Sequence, residues 1–220
     1  MTKIFSNALN IVLTICLTIF ILIACVKFTV SFKPLYYFDM NYLKIENIDG
    51  LNNNQIKSTY NYLIDYTNNK QKGNFKLEFM TYSPNGAEHF KEVRELFMKM
   101  SNIMIFSLIV FIFGLIINIR IFRNYAFLKY TSLSLLIIPI IFMIPVMIDF
   151  DKLFTFLHKI LFKNNYWLFD PNLDPVINIL PEEFFMHCLI LILALMGVCC
   201  LISYLLYKTT IKAKKMSVIS

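Results

Sequence analysis

Two histidines with carboxylates close by in sequence are the residues of this 220-residue chain best suited to chemistry. His89 stands in the run Glu88-His89-Phe90-Lys91-Glu92-Val93. Glu92 follows it by three residues, so on a helix its carboxylate is close enough to touch the imidazole. His158 lies inside the aromatic-rich stretch from Asp151 to Phe185, which continues through Tyr166, Trp167, Asp170-Pro171, Asp174-Pro175 and Pro181-Glu182-Glu183. Trp167 is the only tryptophan. An imidazole titrates near pH ~6.5, so either histidine can take or return a proton under neutral conditions. The chemistry this suggests is general acid–base catalysis. Each feature also has a plainer reading. His89 is then a packed histidine with a structural bond, and 151–185 an interfacial hairpin with aromatics at the headgroup level and prolines as turns.

Other chemistries find little support. Three histidines with Asp and Glu nearby follow no standard zinc spacing, so no metal and no cofactor is expected. There is no H-E-x-x-H, G-x-S-x-G or Walker loop. Cys16, Cys25, Cys188, Cys199 and Cys200 all fall in apolar runs and read as small buried hydrophobes rather than disulfides or metal ligands.

The elements that must position the histidines are apolar. The chain is 58% hydrophobic with a mean hydropathy of +0.62, more apolar than a soluble domain of this size. Four runs approach the ~20 residues needed to cross a bilayer. The resulting organisation is 1–30, N-terminus and first span; 31–101, a long polar segment; 102–122, second span; 127–148, third span; 149–184, a second polar loop holding His158; 185–207, fourth span, with His187 at its start; and 208–220, a tail. Leu22-Ile23-Ala24-Cys25 resembles a lipoprotein cleavage box, but the apolar run continues past it, as a membrane span requires and a removable signal does not. Pro139 and Pro145 inside the third span should kink or end it.

Within 31–101, Tyr36 to Ile48 reads as a strand and Asn52-Asn53-Asn54 as a helix start. Ile56, Tyr60, Leu63 and Ile64 then recur at helical spacing. Phe75, Leu77 and Phe79 alternate with Lys76 and Glu78 as in a half-buried strand, Ser83-Pro84-Asn85-Gly86 reads as a turn, and a helical pattern starts at Ala87. The expected fold is a polytopic α-helical membrane protein with four transmembrane helices and a small extracytoplasmic α+β domain.

Charge sets the expected topology. The net charge is +7, and all fourteen Asp and Glu lie in the two long loops. Lys3, Arg120, Arg123, Lys129, Lys208, Lys212, Lys214 and Lys215 occupy the ends and the short loop with no acid among them. The positive-inside rule puts those segments and both termini in the cytoplasm and both long loops outside. The excess charge then faces anionic lipid, and no nucleic acid is expected. Histidines from two different loops share one side of the membrane.

From Phe156-Leu157-His158 through Leu161-Phe162-Lys163-Asn164-Asn165-Tyr166-Trp167-Leu168-Phe169-Asp170-Pro171 and Asp174-Pro175 to Leu180-Pro181-Glu182-Glu183-Phe184-Phe185, the second loop resembles the signature of the bacterial lipoprotein intramolecular transacylase family. The His89 block resembles that family's first histidine motif, and the likeness extends over nearly the whole chain. The sequence departs from the family pattern at Glu92 and Asn165, where the pattern has Asp. The first keeps the charge on a longer arm; the second loses it, so Asn165 is given no catalytic role. The resemblance implies an enzyme of the cytoplasmic membrane acting at its outer face on diacylated bacterial lipoproteins. It would move the sn-2 acyl chain of the diacylglyceryl group to the α-amine of the lipidated cysteine, giving a lyso-form lipoprotein. It also implies that His89 and His158 are essential. On this reading His89 is a general base oriented by Glu92, and His158 stabilises the oxyanion or protonates the glycerol oxygen, with the two roles exchangeable. Asp170, Asp174 and Glu182 hold the loop or meet the substrate amine, and Tyr166 and Trp167 sit at the headgroup level. The competing class is a non-enzymatic membrane subunit or assembly factor, which predicts histidines far apart.

Overall fold

The computed structural model describes residues 2–45 and 50–219, with side chains described as far as 213. Among the described residues eight α-helices follow one another: α1 (Thr2–Ser31), α2 (Lys33–Tyr42), α3 (Asn53–Thr67), α4 (Pro84–Ile117), α5 (Ala126–Ile148), α6 (Phe150–Leu161), α7 (Val176–Ile179) and α8 (Glu182–Ile219). A π-helical turn, Asn118–Phe122, prolongs α4 and ends at Arg123 in the left-handed region. Among the described residues four helices are long and apolar enough to cross a membrane: α1, α4 with its π turn, α5 and α8. Pro139 and Pro145 lie inside α5 without ending it.

The expected α+β domain is not what forms: among the described residues there is no strand. Tyr36 to Tyr42 belongs to α2, which starts with Pro34 in its first turn, where a missing N–H costs nothing. The rest of that expected strand, from Glu46 onward, lies outside the described residues. The aromatic content read as β-propensity instead supplies a helix face, with Tyr36 and Met40 buried. Residues 75–80 form neither helix nor strand, and the alternation holds as burial: Phe75 and Leu77 are buried, Lys76 and Glu78 exposed. No neighbouring strand completes a ladder. The Lys76 N–H goes to the Tyr62 hydroxyl at 2.8 Å, and the Tyr82 hydroxyl caps the Phe75 carbonyl at 3.3 Å. The expected turn at Ser83–Gly86 is the first turn of α4, with the Ser83 hydroxyl accepting from the Gly86 N–H. Asn52 does begin a helix: it caps α3 in a reciprocal box with Gln55.

The chain forms two compact units. One gathers 1–26, 101–144 and 192–220. Its buried asparagines are hydrogen-bonded within the unit, as lipid would require, whereas the hydroxyls of Thr18 and Thr131 are buried without a partner. Asn10 donates to the Ser6 carbonyl and accepts from the Phe127 N–H, and Asn118 exchanges bonds with the Asn124 backbone. Ile105, Phe106, Ile109 and Phe113 of α4 stand exposed, an outer surface suited to lipid.

The other unit gathers 27–100 and 145–191 and holds every candidate site residue. Its core unites α2, α3, the start of α4 and the second loop. Tyr36 stacks on Tyr60 with ring centroids 3.6 Å apart, and Phe184 meets both edge-on. The Tyr36 hydroxyl donates to the Ile179 carbonyl at 2.8 Å. These contacts bind the segment before His89 to the segment after His158. Aromatic pairs of this kind add about 1 kcal/mol each beyond area burial.

Candidate active site

Residues on α4, α6 and the loop after α6 assemble around the two histidines. His89 stands near the start of α4, ahead of the apolar run that begins at Ile103, and only 6% of it is exposed. Its ring is walled by Phe162 at 4.8 Å, Phe169 at 5.5 Å and Phe90 at 5.9 Å. His158 comes from the last turns of α6, and its ring lies 6.2 Å from that of His89. Phe154 and Trp167 cover the His158 ring at 4.1 and 4.9 Å. The two histidines, 69 positions apart in the chain, therefore share one aromatic pocket.

Hydrogen bonding separates them. His158 Nδ1 is 2.8 Å from the Phe154 carbonyl oxygen, one helical turn back. A carbonyl only accepts, so Nδ1 carries the hydrogen and the Nε2 lone pair is free. His89 Nδ1 is buried without a partner. Glu92 does not bond to it: Glu92 Oε1 accepts from Asn164 Nδ2 at 2.7 Å, and Glu92 Oε2 is buried and unpartnered.

Burial sets the protonation state. It pushes His89 down to about 4, with the neighbouring His158 adding to the shift. Burial also lowers His158, opposed in part by its bond to the Phe154 carbonyl. At neutral pH both rings are uncharged.

Apart from Trp167, which lies against His158, the remaining sequence candidates are dispersed. Trp167 is buried, and its indole N–H donates to the Asn164 carbonyl at 3.0 Å. Asp174 is buried and accepts from both the N–H and the hydroxyl of Ser83, at 2.8 and 2.7 Å. It latches the second loop to the N-terminus of α4, where a negative charge is favoured. Gly86 makes this approach possible, since a Cβ there would overlap the Asp174 carboxylate. Asp170 accepts from the N–H and the side chain of Asn172, shaping the loop. Tyr166, Asp170 and Asp174 line a cavity of about 370 Å³ with Ser83, Pro84 and Asn165 rather than with the histidines. Glu182 is exposed in the first turn of α8. His187 is not part of the pair: its Nδ1 is 2.8 Å from Oδ1 of the fully buried Asp39. Among the described residues no group of three His, Cys, Asp or Glu side chains is placed to hold a metal ion.

The profile of the lipoprotein intramolecular transacylase (Lit) family matches residues 11–185. The chain belongs to this family. The structure of the membrane-integral lipoprotein intramolecular transacylase Lit from Bacillus cereus superposes with a TM-score of 0.93 at 33% identity, covering 97% of this chain and 99% of that one. Two further structures of the Bacillus cereus transacylase, with one histidine changed to arginine or to alanine, each superpose with a TM-score of 0.88 at 32% identity over 98% of this chain, covering 96% and 97% of theirs. No curated protein sequence matches the chain. As a Lit transacylase the protein is an acyltransferase and a multi-pass membrane protein. Two features of its pocket escaped the sequence. The partner of His158 is a main-chain carbonyl, signalled only by Phe154 standing four positions earlier. Asn164, which ties Glu92 to the Trp167 loop, carried no signal beyond lying in the family motif.

Proposed function

We propose that His158 carries the proton and His89 polarises the ester carbonyl in the transacylation of a diacylated bacterial lipoprotein. The observation that carries this assignment is the His158 Nδ1–H bond to the Phe154 carbonyl, which leaves an Nε2 lone pair in a pocket shared with a second neutral imidazole. Of the two exchangeable assignments the sequence allows, this one fits a Glu92 that bonds to Asn164 rather than to His89.

The step is balanced within one substrate molecule. The α-amine of the lipidated cysteine attacks the sn-2 ester carbon, and His158 Nε2 takes the amine proton. A C–N bond forms and the carbonyl oxygen becomes an oxyanion. Collapse breaks the bond to the glycerol oxygen, which receives the proton back from His158. The product has an N-acyl group and a free sn-2 hydroxyl. His89, held neutral by its aromatic walls, gives an N–H to the oxyanion; a neutral imidazole polarises a carbonyl without surrendering its proton. Amine and ester belong to one molecule, so correct placement supplies ~7 kcal/mol or more of the rate. Both long loops lie on the outer side and both termini in the cytoplasm, as the distribution of Lys and Arg requires. A non-enzymatic subunit would have no reason to pair a buried and a half-buried histidine, both neutral.

Expression in a bacterium lacking its own N-acylation route, followed by mass spectrometry of an abundant lipoprotein's N-terminal peptide, tests the reading. The wild type yields an N-acyl, monoacylglyceryl cysteine; His89→Ala and His158→Ala yield the diacylglyceryl form with a free amine. Wild-type product from either variant removes that histidine from the mechanism.

A further inference from the structure

Asn164 uses three of its polar atoms to join the two halves of the pocket. Its side-chain NH2 donates to Glu92 Oε1 at 2.7 Å, its side-chain oxygen accepts the Tyr166 N–H at 3.0 Å, and its main-chain carbonyl accepts the Trp167 indole N–H at 3.0 Å. Glu92 lies one turn beyond His89 on α4, and the Trp167 ring lies 4.9 Å from that of His158. One residue is thus bonded to the neighbour of each histidine.

We propose that Asn164 is a positioning residue for the transacylation: it holds the Glu92 carboxylate off His89 and fixes the Trp167 indole against His158. The inference rests on the roles assigned to the two histidines above. His89 Nδ1 and Glu92 Oε2 are both buried, both unpartnered, and three positions apart on one helix. They are natural partners. A carboxylate released from Asn164 would accept a hydrogen bond from His89 Nδ1–H, which leaves the neutral ring with a lone pair at Nε2, and it would make the ring easier to protonate. In its neutral form His89 would then have no N–H to offer the oxyanion from Nε2. The ring contacts of His89 are Phe90, His158, Phe162 and Phe169, so His158 and a released Glu92 are the titratable groups that act on it. A carboxamide suits the post because it donates to a carboxylate and accepts from a main-chain N–H at once. A leucine offers neither bond, and an aspartate sets like charges together.

The test uses the full-length protein in liposomes with a diacylated lipopeptide, following kcat and KM across the acid limb of the pH profile. Asn164→Ala is expected to lower kcat by about tenfold or more while KM stays within about twofold, since misplacement acts on the reacting geometry. Its acid limb moves to higher pH, because a free Glu92 makes His89 easier to protonate. Emission from Trp167, the only tryptophan, shifts as its loop loosens. In a Glu92→Gln background the same substitution no longer moves the acid limb, which is the non-additivity expected of a residue acting through another. A wild-type kcat and acid limb in Asn164→Ala overturns the proposal, as does an equal shift in the Glu92→Gln background. If Asn164→Ala fails to fold, Asn164→Asp serves: it is poorly active at neutral pH and recovers on mild acidification as the two carboxylates share a proton, whereas wild-type activity at neutral pH overturns the proposal. Activity retained by His158→Ala in the same assay refutes the underlying roles instead, so the two failures are distinguishable.

Discussion

One compact unit holds two kinds of histidine. His187, at the start of α8, bonds to a carboxylate oxygen of Asp39, a residue with no exposed surface on α2. His89 and His158 bond to no carboxylate; one takes a main-chain carbonyl and the other takes nothing. A carboxylate partner is the feature first sought beside a catalytic histidine, yet here it marks the histidine that joins two helices. The pair fitted for proton transfer is the one kept neutral by aromatic walls. Burial without a carboxylate partner leaves a lone pair and an N–H free for a substrate, whereas a hydrogen bond to a buried carboxylate has already used one ring nitrogen.

The largest contrast follows from that difference. His158→Ala should lower turnover by at least about 100-fold, the usual worth of a positioned acid–base group. His187→Ala should leave most of the turnover and instead lower the thermal midpoint of the purified protein. It strands the fully buried Asp39 without its hydrogen-bond partner, and leaving a buried polar group unsatisfied costs about 1–3 kcal/mol. Thermal melts and initial rates on the two variants decide the matter. A His187 variant that melts like the wild type but is inactive would erase the distinction.

A second contrast lies in how stability responds to acid. The His89 pKa is depressed from about 6.5 to about 4 by burial and by His158. Below pH ~6.5 the unfolded chain binds a proton that the folded chain refuses, so stability is complete above that value and falls as pH drops toward ~4. The size is about 3 kcal/mol, from roughly 1.4 kcal/mol per unit of pKa. Melts of the wild type should therefore drop over that interval, and melts of His89→Phe should drop less. Equal acid sensitivity in both would mean that His89 is not held neutral.

How much of this was legible in advance depends on what kind of force places each residue. The four spans follow from composition, and the start of α3 at Asn52 follows from capping chemistry, because both are local. The approach of His89 to His158 was carried by family resemblance and not by periodicity. The small domain was misread where pattern was treated as partner. Phe75 and Leu77 alternate as a strand would, but a ladder needs a neighbouring strand, and Tyr62 and Tyr82 hydroxyls took those backbone groups instead. Tyr36 and Met40 were read by aromatic content, although their spacing of four suits the helix face they occupy. Glu92 was the subtler miss. Its spacing from His89 was right for a bond, and a competitor 72 positions away took the carboxylate. Sequence spacing shows which contacts are possible; the packed loop decides which one forms.

The smallest effect is optical and sharpens the comparison most directly. The Trp167 ring lies 4.9 Å from that of His158 and the protein contains no other tryptophan, so its emission reports one imidazole alone. A protonated imidazole in contact with an indole quenches it, while a neutral one quenches far less. As pH falls, the emission of the folded protein should drop with a midpoint below the ordinary histidine value, because burial lowers His158 more than the Phe154 bond raises it. His158→Gln should abolish the step, and His187→Gln should leave it unchanged, since that ring belongs to the Asp39 contact. The same titration on His89→Phe is the finer check. Emission should still drop there, showing that His158 is the ring against the indole. A midpoint above the ordinary histidine value, or a step that survives loss of His158, would mean that the pocket does not hold this imidazole neutral, and the proton carrier would have to be sought elsewhere.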